Sequence, residues 1–377
     1  MTKSAIPGAS DEDVTFRRAC MTKPLLRPYM PELQSIRGLA CLAVLFFHGL
    51  WWYIPATAPG PEGWLRTWTA GGFRGVNLFF VLSGLLITGL LLDSRERPDY
   101  FQRFYKRRAL RILPAYYMML ILLALYGVPR SFLGISLLHA ANVAPLLGIP
   151  TYGVLWSLGV EEQFYLLWPL VVRRVKTRVL VLLVMGLFLN SITLPVWHGA
   201  HGLALGALLA IFLRTERGTR QNVWMTGATF AIAGSLLLWV SGENWRNPQL
   251  HEVSGGVGWD FLFGALLVFA LLVGSSRYEA WTRPKWLQFF GDISYGLYLV
   301  HMLVFMVYRR ILHPGNDLAA ILMEFLVCSA LAVGLATVSR FTVEEWFLRL
   351  KDKPLKVWRK RVSSEEFEEL TPVCEVE

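Results

Sequence analysis

Apolar runs long enough to cross a bilayer recur from residue 33 to residue 343, and short segments between them hold most of the charge. A hydrocarbon core of about 30 Å takes roughly 20 apolar residues of α-helix. Ten spans are predicted on that measure, at about 33–53, 74–92, 110–127, 155–172, 178–195, 199–213, 223–241, 259–274, 289–311 and 318–343. The expected fold is all-α, a polytopic membrane helical bundle of about ten transmembrane helices. Its membrane domain covers 31–345, between a cytosolic N-terminal tail, 1–30, and a cytosolic C-terminal tail, 346–377. The sixth span, "GAHGLALGALLAIFL", is short and Gly-rich, as expected of a tilted or half-buried segment. The stretch 131–150 is mildly apolar but broken by Pro145, Gly148 and Pro150, and is expected to form an outer or re-entrant loop.

Composition agrees with this pattern. The 377 residues are 54% hydrophobic and only 17% charged, and a mean hydropathy of +0.44 excludes an ordinary soluble domain. A net charge of +10 raises nucleic acid as a partner, but its distribution argues otherwise. With the N-terminus inside, only Arg66, Arg74, Arg130, Arg246, Arg309 and Arg310 of the 37 Lys and Arg fall on the outer side. That is the positive-inside pattern. It puts both termini in the cytosol and leaves no nucleic-acid partner to invoke. The four cysteines, Cys20, Cys41, Cys328 and Cys374, form no CxxC pair, so neither a disulfide framework nor a metal site is expected. The first 30 residues lack an apolar h-region and a small-residue cleavage site, so no cleaved signal peptide is expected.

Ionisable residues within the apolar runs are the candidate chemistry. The first span, "PELQSIRGLACLAVLFFHGLWWYIP", holds Arg37 where the run begins and His48 inside it. Eleven residues of α-helix make three turns plus about 20° and rise roughly 16 Å. Both residues therefore share a stripe, with Arg37 at the cytosolic edge and His48 beyond the midplane. Arg37 serves either as a headgroup anchor or as a binding group. His48 is either a satisfied core histidine or part of a cavity or proton path. The fourth span, "LWSLGVEEQFYLLWP", carries Glu161 and Glu162 below its outer end. Glu161 shares a face with Tyr165 and Trp168, while Glu162 points about 100° away. Two carboxylates at this depth need a cation, a proton or a wet pocket, unless they are an interfacial acidic pair.

The ninth span, "FFGDISYGLYLVHMLVF", presents Ser294, Tyr298 and His301 as a polar stripe. The stripe either glues helices together or joins His48 and a carboxylate in an acid–base site. In the second span, "GVNLFFVLSGLLITGLLL", Asn77, Ser83, Gly84 and Thr88 favour close helix packing. The basic segment "YFQRFYKRRALRILPAYY" is expected to be an inner loop, with Arg103, Lys106, Arg107, Arg108 and Arg111 around the start of the third span. It suits either anionic lipid or a polyanion such as a nucleotide diphosphate. No Gly-rich phosphate loop is present.

Taken in order, five segments resemble the motifs of the acyltransferase family 3 membrane proteins. "RGLACLAVLFFH" is similar to the family's Arg–ten residues–His signature, with Arg37 and His48. "GVNLFFVLSGLLIT" resembles its second-span motif, with Ser83 and Gly84. "FYKRRALRILPAYY" resembles the basic motif entering the third span, with Arg108, Arg111, Pro114 and Tyr116. "WSLGVEEQFYLLWP" resembles its Trp-Ser-Leu motif, with Glu161 in the acidic position. "GDISYGLYLVH" resembles the late motif, with Ser294, Tyr295, Tyr298 and His301. One departure stands out. The family often carries Glu followed closely by Pro near the last span, whereas "FTVEEWFLRL" has Glu344 and Glu345 without Pro, and no role is assigned there. With the tenth span so near the last residue, no additional extracytoplasmic hydrolase-like domain is expected.

The resemblance implies an integral, multi-pass O-acetyltransferase of a bacterial cytoplasmic membrane. It would move an acyl group, usually acetyl, from acyl-CoA to a hydroxyl of a glycan. It implies His48, Glu161 and His301 as catalytic groups and Arg37, Arg108, Arg111, Ser83, Ser294 and Tyr298 as substrate-binding groups. Neither a metal nor a permanently bound cofactor is implied; acyl-CoA is the donor substrate. A poor hydroxyl nucleophile needs a base, the thioester oxygen needs a donor as charge develops, and CoA phosphates need Arg. Other readings stay open: a lipid or macrolide-like acceptor, a proton-coupled transporter or flippase, or an acyl-sensing scaffold. No inverted repeat favours transport.

Overall fold

The computed structural model describes residues 24–193, 197, 199–243 and 246–350, so most of both expected tails lies outside the described residues. Every regular element among the described residues is helical. Helix α1 (Pro31–Phe46) opens on a proline at its first position, where the missing N–H costs nothing. It runs on through a π-helical turn, Phe47–Trp51. A short helix α2 (Gly60–Ala70) and a 3-10 turn (Gly71–Arg74) lead into α3 (Gly75–Asp93). Then follow α4 (Tyr100–Tyr126), α5 (Arg130–Leu137), α6 (Leu155–Arg174), α7 (Thr177–Thr193) and α8 (Ala200–Phe212). The bundle closes with α9 (Arg220–Glu243), α10 (Pro248–Gly274), α11 (Lys285–Leu312), α12 (Leu318–Ser339) and α13 (Glu345–Arg349). Side chains cap three of these: Thr219 accepts from the Asn222 N–H at 3.3 Å, Asn247 from the Leu250 N–H at 3.2 Å, and Asp317 from the Ala320 N–H at 3.0 Å.

Among the described residues, seven helical segments are long and apolar enough to cross a bilayer. The other three predicted spans fall on α6, α7 and α8. Helix α6 carries Glu161, Glu162, Arg173 and Arg174, while α7 has 17 residues and α8 has 13. Thirteen residues rise about 20 Å, short of the core thickness. Rather than half-buried, α8 is enclosed: every residue but Leu208 and Phe212 is buried. It lies among α3, α7 and α10, where it need not reach lipid on both sides.

One other expectation is corrected. The basic segment is not a loop, because α4 begins at Tyr100 and runs through Pro114. Tyr100 and Phe104 bury one side of its polar first turns, a face that span hydropathy does not register. The stretch 131–150 holds α5 and a 3-10 turn, Ala141–Leu147, and the turn packs against α6. There Gln163 donates to Asn142 Oδ1 at 2.9 Å and to the His139 carbonyl at 3.1 Å.

Glycines set the closest crossings. A Cβ on Gly38 of α1 would overlap the Leu287 carbonyl oxygen of α11, and one on Gly291 would overlap that of Gln34. Gly84 of α3 and Gly206 of α8 stand in the same relation to the Leu203 and Val81 carbonyls. Bare backbone lets membrane helices approach this closely. The first crossing sets Arg37 beside Ser294; the second holds Ser83 in place.

Candidate active site

Helices α1, α3, α4, α6 and α11 surround a cavity of about 70 Å³. Seven of the nine residues singled out in the sequence line it: Arg37, Ser83, Arg108, Arg111, Glu161, Ser294 and Tyr298. Its polar wall is built on Glu161. The Glu161 carboxylate accepts hydrogen bonds from the hydroxyls of Ser83 and Tyr165, and Tyr165 Oη lies 3.0 Å from Ser83 Oγ. One turn on, Trp168 Nε1 donates to Thr88 Oγ1 at 2.9 Å. The face predicted for Glu161, Tyr165 and Trp168 is thus the one fastened to α3. Glu162 lies off that face, with Oε1 4.0 Å from Arg108 Nη2.

Three guanidinium groups converge on this cavity. Arg108 lies over the Tyr165 ring at 3.6 Å, and its Nε is buried without a hydrogen-bond partner. Arg37 and Arg111 make no hydrogen bond or ion pair among the described residues. Gathered like charges in a low-dielectric site repel, and carboxylates are their counterweight: Glu161 and Glu162 toward Arg108, and Glu344 toward Arg111. The unused N–H donors suit a ligand with several anionic oxygens.

His48 and His301 do not line the cavity. They form a pair of their own, His301 Nε2 lying 3.1 Å from His48 Nδ1. His301 Nδ1 stands 2.9 Å from the Leu297 carbonyl. A carbonyl only accepts, so Nδ1 carries the proton and Nε2 of the neutral ring accepts from His48 Nδ1–H. His48 Nε2 is then left with its lone pair, the arrangement of a base oriented by a second residue. Glu161 is therefore not in this group; it belongs to the cavity. Tyr298 links the two compartments. It lines the cavity, its ring centroid is 5.9 Å from that of His301, and its hydroxyl donates to Ser157 Oγ at 2.6 Å. Ser157 in turn donates to the Val154 carbonyl at 3.0 Å.

The stripe expected from Arg37 to His48 is modified where it ends. Residues 47–51 are π-helical, and Trp52 N–H reaches back five residues to Phe47 O at 3.3 Å. A π-bulge re-aims the side chains it carries and is frequent at functional sites. Several residues that the sequence reading left without a role also stand out. Ser157 and Tyr295 line the cavity, and Tyr295 Oη donates to the Ile112 carbonyl at 3.1 Å. Glu344 is buried in a π-helical turn, Arg340–Glu344, with Oε1 unpartnered. His201 and Asp260 are a buried hydrogen-bonded pair on α8 and α10. Intramembrane ionisable groups are a signal in themselves, and all three charged residues carried it.

An all-helical bundle with seven apolar helices of spanning length among the described residues, an arginine-lined cavity and a buried histidine pair defines an integral membrane protein. Residues 30–340 match the family profile described as "Acyltransferase domain" (Acyl_transf_3), and the chain belongs to that family of acyltransferases. It is 29% identical over 322 residues to "Peptidoglycan O-acetyltransferase OatA" of Listeria monocytogenes, covering 73% of this chain and 49% of that protein. It is 26% identical to "Putative peptidoglycan O-acetyltransferase YrhL" of Bacillus subtilis, over 76% of this chain and 50% of that one. It is also 26% identical to "O-acetyltransferase OatA" of Staphylococcus aureus, over 72% and 50%. The chain thus spans about half the length of the curated relatives it matches. No solved structure matches it significantly.

Proposed function

We propose that this protein is an integral membrane O-acyltransferase that moves an acetyl group from acetyl-CoA to a hydroxyl of a peptidoglycan-type glycan. The observation that carries this reading is the junction at Tyr298, with unused arginine donors on one side and the His48–His301 pair on the other. The CoA phosphates bind Arg37, Arg108 and Arg111. The pantetheine arm extends along α1 and α11 past Ser294 and Tyr298, and the thioester lies by His48. Arg37 and His48 are eleven positions apart on one helix, a rise of roughly 16 Å, which suits a long flexible arm.

His48 Nε2 takes the proton of the acceptor hydroxyl as its oxygen attacks the thioester carbonyl. His301 holds the His48 ring through Nδ1. The tetrahedral oxyanion collapses, the C–S bond breaks, and the leaving thiolate takes up the proton held on His48. Hydroxyl and thioester become ester and thiol with no net proton change. Glu161 holds Ser83 and Tyr165 in the cavity wall and balances the arginines. The loop charges support ten spans with both termini cytosolic, in a bacterial cytoplasmic membrane. Donor then enters from the inside, and the acceptor meets His48 from the outside.

The test uses purified protein in nanodiscs with radiolabelled acetyl-CoA and glycan fragments. His48→Ala should lower transfer by about 10²–10⁴-fold, the usual contribution of a general base, with CoA binding unchanged. His301→Gln should cost less, because it removes only the orienting bond. Retention of more than a tenth of the wild-type rate by His48→Ala would refute the assignment of the base.

A further inference from the structure

A second buried polar cluster lies outside the cavity, where the outer ends of α3, α8 and α10 meet. Asp260 is wholly buried; Asn77 Nδ2 donates to its Oδ1 at 2.9 Å, and His201 Nδ1 bonds its Oδ2. A buried carboxylate tied to two partners is explained well enough as a link between helices. Two further groups are not. The Arg74 guanidinium is half-buried yet makes no hydrogen bond or ion pair among the described residues, and His201 Nε2 likewise has no partner there.

Both groups face the same bare patch of backbone. The point where a Cβ on Gly256 would stand is 3.5 Å from Arg74 Nη1 and 3.6 Å from His201 Nε2. The two nitrogens are therefore no more than about 7 Å apart, a gap that one carboxylate straddles. Gly255 extends the patch, a Cβ there standing 3.6 Å from Arg74 Nη2. Asp260 and, on the same helix, Glu252 are the carboxylates whose charge acts on Arg74, and neither hydrogen-bonds it among the described residues.

A chain of aromatic contacts leads from the cluster to His48. Arg74 lies 4.3 Å over the Phe73 ring, Phe73 is 5.6 Å from Phe47, and Phe47 is 5.1 Å from the His48 ring. Resting on the acyltransfer reading above, we propose that Arg74 and His201 form an anion subsite that holds a carboxylate of the glycan acceptor while its hydroxyl is presented to His48. The fork of Arg74 suits a planar carboxylate. The buried Asp260 behind it favours a monoanion over a phosphate, whose second charge would face that carboxylate.

The experiment compares an acidic glycan fragment with its methyl ester, which keeps the hydroxyls and loses the charge. Binding to the protein in nanodiscs is read by calorimetry, and transfer from acetyl-CoA separately. Wild-type protein should bind the acid about tenfold or more tighter than the ester, the scale of a hydrogen bond to a charged group. Arg74→Gln should abolish that preference by weakening the acid alone, and Arg74→Lys should restore part of it. His201→Gln should weaken acid binding in the same sense. Equal binding of acid and ester by the wild-type protein would overturn the subsite, as would an Arg74→Gln loss shared by both fragments. Selective, Arg74-dependent binding of the acid without transfer to either fragment would uphold the subsite and overturn the acyltransfer reading instead.

Discussion

Gly38→Ala tests whether the crossing of α1 and α11 sets the reactive geometry. The added Cβ would overlap the Leu287 carbonyl oxygen and lie 3.0 Å from the Gly291 nitrogen. Both obstacles are backbone, so no side chain can swing away. Restoring ordinary contact requires the helices to part or slide by more than about 1 Å, and a misplacement of about 1 Å already costs about 10²-fold in rate. The overpacking itself costs about 1–3 kcal/mol, which a folded bundle tolerates. The shift would carry Arg37 away from Ser294 and His48 away from His301, because each pair straddles this crossing. Gly334→Ala is the control, since a Cβ there meets nothing within 4 Å. Transfer rate and melting temperature are measured together in nanodiscs. The expected result is a folded Gly38→Ala protein with about 1% of wild-type activity and a Gly334→Ala protein near wild type. If Gly38→Ala keeps more than half the activity, the crossing does not set the geometry.

Two further outcomes test the cavity and the topology. Arg108→Gln or Arg111→Gln should raise the apparent KM for acetyl-CoA about tenfold or more with little change in that for the acceptor, and Lys should rescue only in part. Equal effects on both substrates would mark these residues as lipid anchors. In a background lacking the four native cysteines, single cysteines at 60 and 250 should react with an impermeant thiol reagent from outside and one at 97 should not. Reversal at any two positions would break the ten-span arrangement.

What was legible in the sequence is what obeys a single-helix rule. Arg37 and His48 stand out because ionisable groups are rare within apolar runs, and the Glu161–Tyr165 hydrogen bond follows from a spacing of four. The π-helical turn at His48 was not legible, since nothing in "FFHGLWW" distinguishes one extra residue in a turn from a regular helix. The start of α4 was misplaced because hydropathy marks where apolar residues begin, while the helix begins wherever a polar turn finds something to pack on. The enclosure of α8 was invisible for a related reason: an apolar helix reads the same whether lipid or protein covers it. Ser83 shows the limit from the other side. Read as a small packing residue next to Gly84, it also bonds a carboxylate 78 positions away, a partner only the crossing of α3 with its neighbours supplies. His201 and Asp260 carry the same intramembrane signal as His48 but gain meaning only by meeting across 59 positions.

The division of labour among helices bears on how such a site can move. Helix α1 supplies Arg37 to the cavity and, through its π-helical turn, His48 to the histidine pair; α11 supplies Ser294 and Tyr298 to the one and His301 to the other. Both helices therefore run through both compartments, and they cross where Gly38 and Gly291 bring their backbones together. A pair of this kind fixes the distance from Arg37 to His48, which on the proposed function is the distance from the donor's phosphates to its thioester. The remaining arginines, Arg108 and Arg111, sit on α4, which meets α11 far less extensively than α1 does. On the proposed function, the cavity is expected to open to a bulky anion by a movement of α4 away from the α1–α11 pair. Such a movement separates Arg108 and Arg111 from Arg37 and leaves the His48–His301 hydrogen bond intact.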